Sequence, residues 1–412
     1  MNAVPLIVGL DIGTTKVCTV VGALTDDHQI DIRGVGLTRS AGLRRGVIVD
    51  LEKTIEAVRQ SQEDAQRMAG VPLTGAHVYV GVTGDHVDSF NCTGAVEIHR
   101  PNDEILASDV DRARAAAANG VQTAERDIIL ERPREFIVDG QVGISDPVHM
   151  TGRRLEVVLH VVTGEHRFLN EIRHCVERAG LGVDSLVLEA VATGEAITSR
   201  EERELGCCVL DIGGGTTDLA LYLDGHLAHT SAIPVGGAHV TYDLSYGLEV
   251  PYPLAEELKR EYACASVELC DPDLLIPYRN VRHEECRAEQ RFLAEIVGPR
   301  MEELFELVLA DLARVKVDPR QLGAGIVLSG GASRLRGTLS VAREVLQVVV
   351  REGQPQQVVG HTERVAGPQF STAVGLVRVG GMDQARKLQQ IEETSFWGRM
   401  RTYWRNFTRL FD

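Results

Sequence analysis

The chain has 412 residues, a formal charge of −16 and 44% hydrophobic residues. That length is expected to divide into two or more domains, each burying its own core, and the acidic balance argues against general nucleic-acid binding, which needs a basic face. Eight cysteines, at positions 18, 92, 175, 207, 208, 264, 270 and 286, include no C-x-x-C pair, so zinc-site spacing is absent and reduced thiols in cores are expected.

In chain order, the opening "MNAVPLIVGLDIG" has no basic leading region and its apolar run breaks early, so it is not expected to be a secretory signal. No run of about 18 apolar residues follows anywhere, and a cytoplasmic protein with at most peripheral membrane contact is expected. Strand-like runs then alternate with amphipathic helices, which predicts an α/β architecture. "VPLIVGLDIG", "KVCTVVGAL" and "IDIRGVGL" read as strands, 51–70 as a helix closed by glycine, and "GAHVYVGV" as a further strand. Residues 84–162 read as an inserted subdomain: a strand, a helix begun by Ser108 and ended by Gly120, and three more strands. A helix over 165–181 follows, then the strands "GCCVLDIGGG", "TDLALYL" and "GAGIVLSGG". From about 380 the polar, glycine-led "GGMDQARKLQQIEETS" has no apolar face wide enough to dock on a core. It reads as a linker that could be helical in part.

One internal repeat carries the chemistry. "VGLDIGTTKVCTVVGAL" (8–24) and "CVLDIGGGTTDLALYLD" (208–224) each run from an apolar strand through Asp-Ile-Gly and a Gly/Thr turn into a second apolar strand. Glycine turns expose backbone N–H groups that form an anion-binding nest, and the hydroxyls of Thr14, Thr15, Thr216 and Thr217 add donors. Asp11 and Asp211 stand just before the turns, pointing at one gap. Carboxylates beside a polyphosphate repel it unless a hard divalent cation, its waters held by both, lies between. The paired turns therefore predict Mg-nucleotide between two similar halves. One such turn alone would be an ordinary hairpin. A third element, "GIVLSGGASRLRG" (325–337), places Gly-Gly between a strand and a helix start, where an adenine ring could lie against bare backbone. No G-x-x-x-x-G-K-[ST] is present, and "GVG" at 34–36 lacks the third glycine of a dinucleotide fingerprint.

In this order and spacing the three motifs resemble the actin-like ATPase superfamily, and within it the FtsA family of bacterial cell-division proteins, over roughly residues 6–380 and the amphipathic end. "FSTAVGLV" (370–377) is similar to that family's second connecting helix. The resemblance implies the two-domain actin-like fold, duplicated ribonuclease-H-like halves with an inserted subdomain 1C. It divides the chain into 1A (1–83), 1C (84–162), 1A (163–204), 2A (205–228), 2B (229–303), 2A (304–360), a return to 1A (361–380), a linker (381–394) and a membrane-targeting helix (395–412). It also implies roles. Asp11 and Asp211 would organise Mg and water. Gly13, Thr14, Thr15 and Lys16, with Gly213, Gly214, Gly215, Thr216 and Thr217, would hold the phosphates of ATP. Gly330, Gly331, Ala332 and Arg334 would face adenosine, and Gly236, Gly237, Glu256 and Lys259 the ribose or base. Glu256 and Lys259 are equally readable as a solvated pair three residues apart. Glu189 would orient water, or be a helix-surface carboxylate; ATP binding with at most slow hydrolysis is the expectation.

The tail "SFWGRMRTYWRNFTRLFD" (395–412) holds both tryptophans. On a helix of about 100° per residue, Phe396, Trp397, Met400, Tyr403, Trp404, Phe407, Leu410 and Phe411 share one arc of roughly 140°, with Arg399, Arg401, Arg405 and Arg409 beyond its edges. Such a segment rests in a membrane interface, or docks on the protein's own core. The resemblance implies that it tethers filaments of the tubulin-like protein FtsZ to the anionic cytoplasmic face of the cell membrane at midcell, as an actin-like polymer working with other division proteins. The FtsZ tail would meet subdomain 2B, at Arg300 and Arg291, unless these are ordinary surface arginines. A pilus-assembly ATPase of the same fold is an alternative, not expected to carry this tail. A small-molecule kinase is another, which would need a catalytic base in a substrate cleft.

Overall fold

A computed structural model describes residues 6–119, 121 and 125–394. The tail residues Phe396 to Phe411 on which membrane contact is expected lie outside the described residues. Two sheets repeat one plan. The first runs Gly182–Leu188, His77–Val82, Ile7–Ile12, Lys16–Leu24, Ile30–Arg39, Val358–Gly360; the second runs His226–Ile233, Thr217–Leu223, Cys207–Ile212, Gly325–Ser329, Val350–Glu352. In each, an antiparallel hairpin pairs its first strand with a parallel neighbour on the other side. Both first strands are buried at every residue. Helices cover both faces of such sheets, which is why these strands read as near-continuous apolar runs.

Helix Leu51–Ala69 begins where Asp50 accepts the Lys53 N–H at 3.2 Å and stops at Gly70, φ +68. It lies directly on strand Ile30–Arg39, where a Cβ on Gly36 would fall 1.8 Å from the Ser61 carbonyl oxygen. The second sheet is covered by helix Gln290–Arg314, whose Leu293, Val297, Met301, Leu304, Phe305, Val308 and Leu312 form one buried stripe. That stripe runs unbroken through position 303, where a subdomain boundary was placed from sequence. The boundary at 228 likewise falls within strand His226–Ile233.

Helix Ser371–Thr394 continues through the expected linker from 381. Its first half docks through Ala373, Val374, Leu376 and Val377, and beyond them its glycines allow close approach, a Cβ on Gly380 falling 2.7 Å from the Tyr79 ring and one on Gly381 2.8 Å from Leu24 Cβ. The Tyr79 hydroxyl then donates to Asp383 at 2.9 Å.

The insert is a four-stranded sheet, in the order Val87–Glu97, Arg154–Glu165, Arg126–Val138, Gln141–Ile144, packed on helix Ala107–Ala118. The helix begins one residue before Ser108, because the cap comes from Asp109. Its carboxylate accepts the Leu106 N–H at 2.9 Å and is held by Arg100 and Arg112. The other face of the insert sheet covers the edge strand His226–Ile233, as an exposed edge requires. His160 Nε2 accepts the Thr230 hydroxyl at 3.0 Å while its Nδ1 donates to Asn91 at 2.9 Å, and Asn91 donates to the Ala228 carbonyl at 3.4 Å. Burial and the neighbouring His229 push the His160 pKa down to about 4, so the ring is neutral. All eight cysteines are free thiols. Among the described residues no helix is long and apolar enough to cross a membrane.

Candidate functional site

The two Asp-Ile-Gly hairpins meet tip to tip between the sheets. Each turn closes alike, Gly13 N–H donating to the Lys16 carbonyl at 2.9 Å and Gly213 N–H to the Thr216 carbonyl at 2.9 Å. A Cβ on Gly214 would lie 2.5 Å from Thr15 Cγ2, and one on Gly215 2.6 Å from the Thr14 hydroxyl. Only glycine allows the turns to touch this way. Lys16 is ion-paired with Asp11. Burial opposes the Lys16 charge, but Asp11, with Cys18 and Asp211, more than offsets it and the ammonium pKa is raised.

Asp211 is buried, and its Oδ2 accepts the hydroxyls of Thr193 at 2.5 Å and Thr372 at 2.8 Å. These come from the two helices connecting the halves, Glu189–Ile197 and Ser371–Thr394. Asp218 pairs across the second hairpin with Asp211 and takes hydrogen bonds from Thr83 of the first half and from Thr216 at 3.1 Å. Thr83, Thr193, Thr372 and Asp218 escape sequence reasoning. Asp218 had a signal, a carboxylate directly after the second Gly/Thr turn. The threonines had none, since their partners are far along the chain.

Glu189 is not a helix-surface carboxylate: it is 8% exposed, at the start of its helix. A cavity of about 10 Å³, lined by Ile12, Gly81, Thr83 and Glu189 among others, is roughly the size of one water. Burial raises its pKa well above the usual carboxylate range, and Asp11, Asp218 and Asp211 add to the effect. Burial likewise raises Asp211 against the pull of its two threonine bonds. It pushes Asp218 up to about 7, opposed by the Thr83 bond and reinforced by Asp211.

The cleft thus gathers four carboxylates around one lysine, a negative excess that a divalent cation would relieve. No group of three or more His, Cys, Asp or Glu among the described residues stands close enough to hold a metal directly. Asp11 and Asp211, carboxylates set just before the two turns, fit a cation reached through its waters, as Mg usually is.

The third element abuts the second aspartate. Gly330, at φ +85, would put a Cβ 2.3 Å from Asp211 Oδ1. Gly331 is open, with nothing nearer a Cβ than Gln369 at 3.9 Å, and Arg334 is exposed beside it. A Cβ on Gly237 would lie 2.9 Å from Ala332 Cβ, and one on Gly236 2.7 Å from the Gly213 carbonyl. Lys259 Nζ donates to the Gly237 carbonyl at 3.0 Å, Thr241 at 2.8 Å and Glu256 at 2.6 Å. Glu256 and Lys259 are therefore paired and also tied to this glycine turn. Burial lowers the Lys259 pKa against the attraction of Glu256.

Arg300 and Arg291 stand apart from the cleft. Arg300 grips Asp243 with two bonds, at 2.7 and 3.0 Å, and Glu303 with a third. Arg291 is an exposed side chain paired with Glu295 at 3.0 Å. Beside Asp243 an open pocket of about 770 Å³ is lined by Tyr242, Tyr246, Glu249 and Val281 among others.

Residues 208–375 match the family model described as cell division protein FtsA, and residues 84–163 match the SHS2 domain inserted in FtsA. The chain is 39% identical over 381 residues to the cell division protein FtsA of Pseudomonas aeruginosa, covering 92% of this chain and 90% of that one. It is 36% identical over 382 residues to that of Escherichia coli K12, covering 91% and 90%. Among solved structures, a PilM–PilN type IV pilus biogenesis complex aligns with a TM-score of 0.66 at 17% identity, over 91% of this chain and 98% of that one. MreB 5 of Spiroplasma citri bound to AMPPNP aligns with a TM-score of 0.57 at 14% identity, over 93% and 98%. At such identities these two establish the actin-like fold.

Proposed function

Since the chain belongs to the FtsA family of actin-like cell-division proteins, we propose that it binds ATP with Mg between its two halves and tethers FtsZ filaments to the cytoplasmic face of the membrane. One observation carries the nucleotide reading: the glycines of the second Asp-Ile-Gly turn touch the threonines of the first while a third glycine turn rests on Asp211. On this reading the turn N–H groups at Thr14–Thr15 and Gly214–Thr216 take phosphate oxygens. Glu256 and Lys259 face the ribose, and Gly331 leaves bare backbone for the base. Magnesium would neutralise phosphate charge here, and Asp11 and Asp211 would hold its waters. Glu189 holds one further water. Burial and the neighbouring Asp11, Asp218 and Asp211 favour the neutral form of its carboxyl, which weakens it as a base and accords with slow hydrolysis.

The tail at 395–412 is the membrane anchor in this reading. Burying its eight apolar groups yields on the order of 8–12 kcal/mol, ordering a helix takes back about 1 kcal/mol per residue, and each arginine near anionic lipid adds roughly 1 kcal/mol. One copy therefore binds reversibly, and copies joined in a polymer bind far more firmly. An acidic FtsZ tail meeting helix Gln290–Arg314 competes with Asp243 and Glu303 for Arg300 and with Glu295 for Arg291, and other division proteins join the same polymer. Co-sedimentation with anionic vesicles in Mg-ATP tests the anchor: the full chain should pellet and a chain lacking 395–412 should not. Equal pelleting refutes it. Asp211→Ala should weaken ATP binding by calorimetric titration; unchanged affinity refutes the cleft assignment.

A further inference from the structure

Arg45 belongs to a small hairpin of the first half, Leu43–Arg44 paired with Val47–Ile48. Arg45 and Gly46 form its two-residue turn, with φ of +48° and +78°, as a type I′ hairpin requires of both central residues. The turn lies against the cleft. A Cβ on Gly215 would lie 3.2 Å from both Arg45 N and Cα, and one on Gly46 would fall 2.2 Å from the carbonyl oxygen of Thr83, the residue that donates to Asp218. The Arg45 backbone is thus wedged between the second glycine turn and Thr83. The side chain reaches across to the other half, where its Nη2 lies 3.2 Å from His239 Nε2.

That contact gives the solvent-exposed guanidinium no protein acceptor among the described residues. His239 Nδ1 accepts the Gly236 N–H at 3.1 Å, and a neutral imidazole has only one accepting nitrogen. Burial, with the charge of Arg45 second, lowers the His239 pKa, so the ring is neutral. Nε2 therefore carries the hydrogen, and the Arg45 contact sets donor against donor. Lys16 and Lys259 are each held by a carboxylate; among the described residues Arg45 has no such partner.

We propose that Arg45 is a phosphate-binding residue of this cleft, whose guanidinium leaves His239 to take the phosphate oxygens of a nucleoside triphosphate held between the glycine turns. The proposal rests on the nucleotide reading above and adds a residue and a movement to it. The test titrates full-length protein with Mg-ATP and Mg-ADP, comparing wild type with Arg45→Ala, Arg45→Lys, Arg45→Gly and, as a neighbouring control, Arg44→Ala. Removing a charge-assisted bond is expected to weaken ATP binding about tenfold in Arg45→Ala, with a smaller loss for ADP, which carries less charge. Arg45→Lys should recover part of the loss and Arg44→Ala should bind as wild type. Arg45→Gly adopts the positive φ freely, so it should melt no lower than wild type and still bind ATP weakly. Wild-type affinity in Arg45→Ala overturns the proposal. So does an equal loss for both nucleotides with no recovery in Arg45→Lys, the mark of a merely structural role. A wild type that binds neither nucleotide refutes the cleft reading itself, which separates the two failures.

Discussion

Gly330→Ala places one methyl group where the third turn meets the second aspartate. The new Cβ would fall 2.3 Å from Asp211 Oδ1 and 2.5 Å from the Ile212 carbonyl oxygen, at a backbone φ of +85°. The turn cannot swing away freely, because its N–H donates to the Pro368 carbonyl at 3.2 Å and its carbonyl accepts the Ser333 hydroxyl at 2.8 Å. Its ψ of 166° puts Gly330 in a region almost only glycine enters, where an L-residue costs about 1–3 kcal/mol, and overpacking a filled site adds about 1–3 kcal/mol. Together these predict a loss of about 2–6 kcal/mol, readable as a lower urea midpoint at unchanged slope. Relief of the clash moves Asp211 or the turn, so ATP affinity should fall as well. Stability within about 0.5 kcal/mol of wild type, typical of a neutral surface change, combined with unaltered ATP affinity, would refute the packing argument.

Two further outcomes follow from the carboxylate cluster. The Asp218 pKa of about 7 lies above its ordinary 3.8, so between those values the folded chain binds more protons than the unfolded chain and stability falls as pH rises. Asp218→Asn should remove part of that fall, gaining stability relative to wild type from about pH 4 to about pH 7; parallel urea profiles across that window would contradict it. Thr193→Val deletes the hydroxyl that donates to Asp211 at 2.5 Å, and a bond to a charged group is worth about 1.5–3 kcal/mol. Asp211 should then ionise less readily and calorimetric Mg-ATP affinity should drop about tenfold or more, most clearly below neutral pH. An affinity indifferent to Thr193 would show that Asp211 is not held by this bond.

The helix Ser371–Thr394 illustrates where pattern reading stops. Its first half is apolar enough to read as a connecting helix, but beyond 380 composition suggests a linker, because glycine contributes nothing to an apolar stripe. In the fold those same glycines are what admit Tyr79 and Leu24. Glu189 shows the converse. Its helix register is visible, but burial against Gly81 is set by a strand about a hundred residues earlier.

The sequence by itself determined the paired hairpins, their glycine turns, and the aspartates that precede them. Each is local chemistry: a turn needs glycine or threonine at stated positions, and a strand covered on both faces needs a continuous apolar run. The tertiary structure alone decided which of these groups meet. Thr83 reaches Asp218 across 135 positions, Thr372 reaches Asp211 across 161, and Arg45 reaches His239 across 194. No periodicity or spacing encodes such pairs, because they arise only when elements far apart in the chain are packed together. The charge balance of the cleft, and the proton affinities that follow from it, belong to that packing.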